Sequence, residues 1–145
     1  MKKTVALFAF LLYTTVVVFA GKIFTKDVIH LPQAAQTFIS TYFGDLKIQK
    51  IEIEDEIFES KTFEVDFTNG YEVKFDKNGE WYKVDCKRDA VPSAIVLEDI
   101  MNYVKENFEQ DYITEIEKER NGFEVELQSD ITIKFNKQGE FKKYD

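Results

Sequence analysis

The sequence is poor in the residues from which most catalytic and metal sites are built. It has one cysteine, Cys86, and one histidine, His30. A lone cysteine excludes an internal disulfide and reads as a buried, inert thiol. One Cys and one His cannot assemble a Cys/His zinc site. A Ser-His-Asp triad would have to recruit His30, and no serine sits in a G-x-S-x-G turn. His30 reads instead as a surface residue just before a helix. Basic residues are also few: 19 Lys and Arg stand against 27 Asp and Glu, a net charge of −8. That balance argues against a nucleic-acid partner, because phosphate contacts need Lys/Arg patches. Proline is confined to Pro32 and Pro92, and each falls at an expected helix start.

What the chain does contain begins with a leader. Lys2 and Lys3 precede an apolar run, Val5 to Phe19, and Val18-Phe19-Ala20 is a small-residue cleavage site. The run is short for a membrane span, which needs about 20 residues. The reading is export with cleavage after Ala20, a periplasmic or secreted destination, and no membrane insertion afterwards. The chain from Gly21 loses two lysines and carries a charge of about −10. With 145 residues, 44% of them apolar and 32% charged, it is globular.

The remainder reads as a tandem repeat, about 27–86 and 87–145. FEVDFTNGYEVKFDKNGEWYKVD (63–85) lies on FEVELQSDITIKFNKQGEFKKYD (123–145) without a gap. KIQKIEIE (47–54) matches YITEIEKE (112–119) at an offset five residues larger. The second copy thus gains five residues before its first strand and loses five after it. Asp55–Thr62 is the corresponding excess in the first copy, a longer turn or a contact loop.

Each copy opens with a helix. Pro32 suits a first helical turn, Ala35, Phe38, Ile39 and Tyr42 recur at helical spacing, and Gly44 ends it. Pro92 and Ser93 open a longer second helix, with Ile95, Val96, Ile100, Tyr103, Val104 and Phe108 along its apolar face. Strands follow with period two: Ile51/Ile53, Phe63/Val65/Phe67 and Tyr71/Val73/Phe75, then Trp81–Asp85. The second copy repeats this through Phe123, Ile131 and Phe141–Tyr144. The fold class is α+β: two tandem α-β4 repeats forming one antiparallel sheet with helices packed on one face.

FDKNGEW (75–81) resembles the start of a calcium loop, but position six of an EF-hand would be Trp81 and position twelve Lys87. The second copy replaces Asp76 by Asn136. A type I turn with a glycine bulge fits both copies, with Asp76…Gly79 and Asn136…Gly139. It places Phe75 opposite Trp81 and Phe135 opposite Phe141. In simple alternation Tyr82, Val84 and Tyr144 then join Lys74, Lys134, Glu64, Asp66, Glu124 and Glu126 on the other, open face. These nine residues are the candidate partner-binding set. An open strand face keeps its carboxylates ionised, so no catalytic pair or metal site is assigned.

The LPQAAQTFISTYF opening and the FEVDFTNGYEVKFDKNGEW core with its second copy resemble the PepSY-like family of exported bacterial proteins, known from Bacteroidetes. Its fold is described as similar to β-lactamase inhibitor protein. The resemblance implies one layer of helices on one continuous antiparallel sheet, and a role in binding or inhibiting another exported protein. It implies no catalytic residues and no cofactor. With one cysteine the chain lacks the disulfides of the true inhibitor. A small-ligand, peptide or cation binder of the periplasm is the alternative.

Overall fold

The computed structural model describes residues 16–19, 21–56 and 58–145. Most of the segment expected to be a leader, residues 1–20, therefore lies outside the described residues. Its end does not: Val17–Phe19 forms a strand, β1, paired antiparallel with β2, Lys22–Thr25. A 3-10 turn at Val28–His30 leads to helix α1, Gln33–Tyr42, and His30 is exposed. Four strands follow: β3, Ile48–Glu54; β4, Thr62–Phe67; β5, Glu72–Phe75; and β6, Trp81–Asp85. Helix α2, Glu98–Asn107, precedes β7, Ile113–Glu119, β8, Gly122–Leu127, β9, Thr132–Asn136, and β10, Phe141–Tyr144.

The ten strands of the described residues form one antiparallel sheet in chain order, and the class is α+β. Period-two alternation explains it. Ile51, Ile53, Phe63, Val65, Val73 and Phe75 are buried in register across β3, β4 and β5, with charged neighbours facing the other way. The two helices cover the apolar face. Phe38 of α1 meets Phe75 edge-on at 5.6 Å and stacks on Trp81 at 6.0 Å. Tyr103 of α2 meets Phe135 edge-on at 5.3 Å and stacks on Phe141 at 5.0 Å. Each fully buried Phe or Ile here is worth about 1.5–3 kcal/mol of apolar transfer.

Two expectations change. The longer second helix is interrupted: Ser93–Ile95 is a 3-10 turn, Val96 is extended, and α2 starts only at Glu98. Extended Leu97 leads into the helix, and Glu98 and Asp99 place negative charge on its first turn, where the helix dipole favours it. Gly44 does not act as a left-handed helix cap. Phe43 closes α1, and a side chain at 44 would meet the Ser40 carbonyl at 2.7 Å.

Both hairpin turns take the expected form. Gly79 N–H donates to the Asp76 carbonyl at 3.0 Å, and Asp76 N–H to the Glu80 carbonyl at 2.9 Å; Asn136, Gly139 and Glu140 repeat these bonds. Phe75 stands opposite Trp81 and Phe135 opposite Phe141, each followed by a bulge.

Candidate binding face

The bulge reorders the open face. A strand normally alternates sides, but an extra residue flips everything beyond it. After Trp81 the pairing resumes with Lys83 opposite Lys74 and Val84 opposite Val73. Val84 is therefore 0% exposed, in the core, and not on the open face as simple alternation placed it. Tyr144 is displaced for the same reason. It pairs with Ile133, and its ring meets Phe108 and Phe141 on the helix side. Its hydroxyl shares a 2.9 Å hydrogen bond with Tyr103. Burial and that bond push the Tyr103 phenol up to about 12.

The other seven candidate residues do share one side. Tyr82 is half-buried in a shallow hollow of about 50 Å³ with Glu52, Glu54, Glu64 and Lys74. Burial raises its phenol pKa. Glu64, Asp66, Lys74, Glu124, Glu126 and Lys134 lie in two cross-strand rows.

One row is almost wholly acidic. Asp66, Glu72, Asp85, Glu115 and Glu126 are successive register partners on β4, β5, β6, β7 and β8. Lys50 ends it on β3 and Thr132 on β9. The neighbouring row mixes signs: Glu52, Glu64, Lys74, Lys83, Glu117, Glu124 and Lys134. Like charges directly opposite repel, so five adjacent carboxylates need compensation. The lysines supply it. Lys50 reaches Glu52 and Asp66, both at 3.0 Å. Lys74 reaches Glu64 at 3.0 Å and Glu72 at 3.3 Å. Lys83 reaches Glu115 at 2.6 Å, Lys134 reaches Glu124 at 2.8 Å, and Lys87 pairs with Asp85.

The charges respond to these partners. Burial pulls the Lys74 pKa down, yet the Glu64 and Glu72 carboxylates outweigh it and hold the ammonium above its ordinary range. Hydrogen bonds from Lys22 and Lys50 hold Glu52 below the usual carboxylate range, against its own burial. Glu115 goes the other way. Burial raises its pKa, Asp85 and Glu126 add to the rise, and Lys83 only partly opposes it. Carboxylate oxygens of Glu64, Asp66 and Glu72 lie within 4.8 Å of one another. The Asp76 turn offers no comparable cluster: its Oδ1 already accepts from Asn78 N–H at 2.8 Å and Glu80 N–H at 3.0 Å.

Three members of the acidic row, Glu72, Asp85 and Glu115, were absent from the candidate set. A signal for Asp85 and Glu115 exists in the sequence. Trp81 and Val84 are apolar three residues apart, which one strand face cannot accommodate without a bulge. Ile113 and Ile116 show the same spacing, and there too the register shifts.

This geometry can be set beside known proteins. A family model described as "Putative beta-lactamase-inhibitor-like, PepSY-like" matches residues 61–143. The chain belongs to the PepSY-like family. A crystal structure of a "putative periplasmic protein of unknown function" from Bacteroides vulgatus is 34% identical, with a TM-score of 0.82, covering 86% of this chain and 99% of that one. A "putative calcium-regulated periplasmic protein" from Bacteroides thetaiotaomicron is 37% identical, with a TM-score of 0.78, covering 82% and 93%. A second "putative periplasmic protein" of Bacteroides vulgatus is 40% identical, with a TM-score of 0.77 and the same coverage. No curated protein matches the chain. The PepSY-like relatives agree with the periplasmic or secreted destination read from the leader. In this PepSY-like chain no described helix is long and apolar enough to cross a membrane.

Proposed function

We propose that the protein is a non-catalytic binding module of the periplasm or extracellular space, and that its open sheet face docks onto a basic surface of another exported protein. The five-carboxylate row from Asp66 to Glu126 carries this reading. A rigid ladder holds these charges in a line, and Tyr82, an apolar contact with a hydroxyl tip, stands by the neighbouring mixed-charge row against Glu52, Glu64 and Lys74. Complementary charge accelerates encounter and sets register. The family description, inhibitor-like rather than catalytic, supports the same class of role. We read the two α-β4 units as tandem copies. Both helices are ten residues long, and each places an aromatic, Phe38 or Tyr103, on the hairpin of its own unit. We read residues 1–20 as a cleaved leader.

The test uses the exported protein as bait on envelope and secreted fractions. Glu72→Lys with Glu126→Lys is the control, since both positions face solvent on the ladder and leave the core untouched. One protein captured by the wild type, released by salt and not captured by the double variant supports the reading. Capture that ignores both salt and the substitutions removes the open face from consideration.

A second reading is favoured by the Glu64, Asp66 and Glu72 oxygens and by the calcium-regulated description of the 37% identical relative. On this reading Glu64, Asp66 and Glu72 take a divalent cation between them, with Lys50 and Lys74 swinging away. Calcium alone should then raise the unfolding temperature in a concentration-dependent way, and magnesium should do so less. A melting curve indifferent to millimolar calcium rejects it.

A further inference from the structure

The outer edge of β2 is occupied by a strand that the sequence assigns to the leader. Val17 stands opposite Phe24, Val18 opposite Ile23 and Phe19 opposite Lys22. Processing after Ala20 removes all three and exposes a row of unpaired backbone N–H and C=O groups next to Ile23. Such an edge is a ready template for another strand. The opposite edge is protected: β10 is short, bulged between Phe141 and Lys143, and carries Lys142 and Lys143.

We infer that in the processed protein the vacated β2 edge pairs antiparallel with the β2 edge of a second copy, giving a two-fold dimer with one sheet running through both. The argument is register. An antiparallel pair centred on Ile23 sets Ile23 against the second copy's Ile23, Lys22 against its Phe24, and Phe24 against its Lys22. This is the pattern β1 already occupies. Val18 is replaced by Ile23, another β-branched apolar residue. Phe19, opposite Lys22, is replaced by Phe24, another phenylalanine. Only Val17 changes character, to Lys22, and there it faces the Phe24 ring. The Lys22 ammonium stays in its own protomer on Glu52, at 2.7 Å, so its methylenes cover the facing ring without an unpaired charge. Pairing a residue with itself requires a two-fold axis normal to the sheet. Both open faces then lie on one side, and both helical layers on the other. A closed pair of this kind uses up the exposed edge and cannot extend into a fibre.

The pair is four residues long, so association is expected to be weak and reversible. The test is sedimentation velocity over a wide concentration series on three proteins. The first is the full chain expressed with export and checked by intact mass. The second carries Phe24→Lys, which sets lysine against the second copy's Lys22 twice, while inside the protomer it stands opposite Glu52. The third is blocked for cleavage at Ala20 and retains β1. The expected result is a protein beginning at Gly21 whose mass approaches twice the monomer's as concentration rises. Phe24→Lys and the cleavage-blocked chain should stay monomeric. A processed protein that is monomeric throughout overturns the inference. So does a dimer that persists in Phe24→Lys, a dimer of the β1-retaining chain, or an exported protein that keeps Val17–Phe19. If Phe24→Lys fails to fold, the β1-retaining chain decides.

Discussion

The Lys118 ammonium lies 3.8 Å from the centre of the Trp81 ring. The two residues lie on neighbouring strands, β7 and β6, and Trp81 is also stacked on Phe38 of α1. Burial lowers the Lys118 pKa, and the Glu80 and Asp76 carboxylates pull it back up. The contact therefore sets a cation–π attraction of about 0.5–2 kcal/mol against the cost of withdrawing the ammonium from water. Lys118→Met keeps the packing and removes both terms, so its stability should lie within about 1 kcal/mol of wild type. Lys118→Glu inverts the charge beside the ring and beside Glu80, and should cost about 1–3 kcal/mol. Urea unfolding of both variants checks this. Equal midpoints for the two would show that charge is irrelevant at this seam.

The hairpin glycines separate two costs of the same substitution. Gly79 and Gly139 have φ of 83° and 89°, the left-handed region that disfavours a side chain by about 1–2 kcal/mol. Their surroundings differ. A Cβ on Gly79 would meet the Pro32 side chain at 2.8 Å and the Ala35 backbone nitrogen at 2.9 Å. A Cβ on Gly139 would meet Asp99 Cβ at 3.1 Å and Ile100 Cγ1 at 3.4 Å. Gly79→Ala should therefore be the more destabilising, by about 1–2 kcal/mol over Gly139→Ala. Thermal unfolding of the two single variants measures the difference.

Most of the architecture was legible because alternation and helical spacing report burial directly. Ile51/Ile53 and Phe63/Val65/Phe67 could only be half-buried strands, and Asp76…Gly79 could only close a hairpin in one register. What alternation cannot carry across is a bulge. The extra residue after Trp81 and Phe141 reverses the side of everything beyond, so Val84 and Tyr144 moved to the helical layer while Asp85 joined the acidic row. β2 was missed because four residues, KIFT, are too few for a period to emerge. The break in the second helix was missed because Ile95 and Val96 keep helical spacing across a 3-10 turn.

That reversal predicts opposite outcomes for residues once grouped together. Val84→Asp buries an unpaired charge between Val73 and Ile116 and should prevent folding. Val84→Ala should cost about 1–3 kcal/mol. Glu126→Lys stands opposite Glu115 and Thr132 on the solvated side and should change stability by less than about 0.5 kcal/mol. Tyr144→Phe loses only the hydroxyl bond to Tyr103, with a cost of about 1 kcal/mol. Circular dichroism and denaturant midpoints of the four variants rank them. A folded Val84→Asp protein would place β6 in the other register.

Two carboxylates on the open face should give pH dependences of opposite sign. Glu52 has its pKa lowered by the Lys22 and Lys50 hydrogen bonds, so its folded form holds a proton less tightly than the unfolded chain. Its contribution is present above the unfolded value and is lost as pH falls through the folded one. Glu115 has its pKa raised by burial and by Asp85 and Glu126, so its folded form holds the proton more tightly. Its contribution is fully present below the unfolded value and is lost as pH rises through the folded one. Glu52→Gln should therefore be destabilised relative to wild type at neutral pH, with the gap closing in acid. Glu115→Gln should behave in reverse. It should be least favourable relative to wild type in acid and gain on it through the weakly acidic range, as the wild-type carboxyl ionises in a partly buried row of like charges. Urea unfolding of the three proteins from acid to neutral pH reads both slopes. Parallel curves for the two variants would mean that the lysine ladder neutralises both sites alike, and that the acidic row carries no excess charge for a partner to recognise.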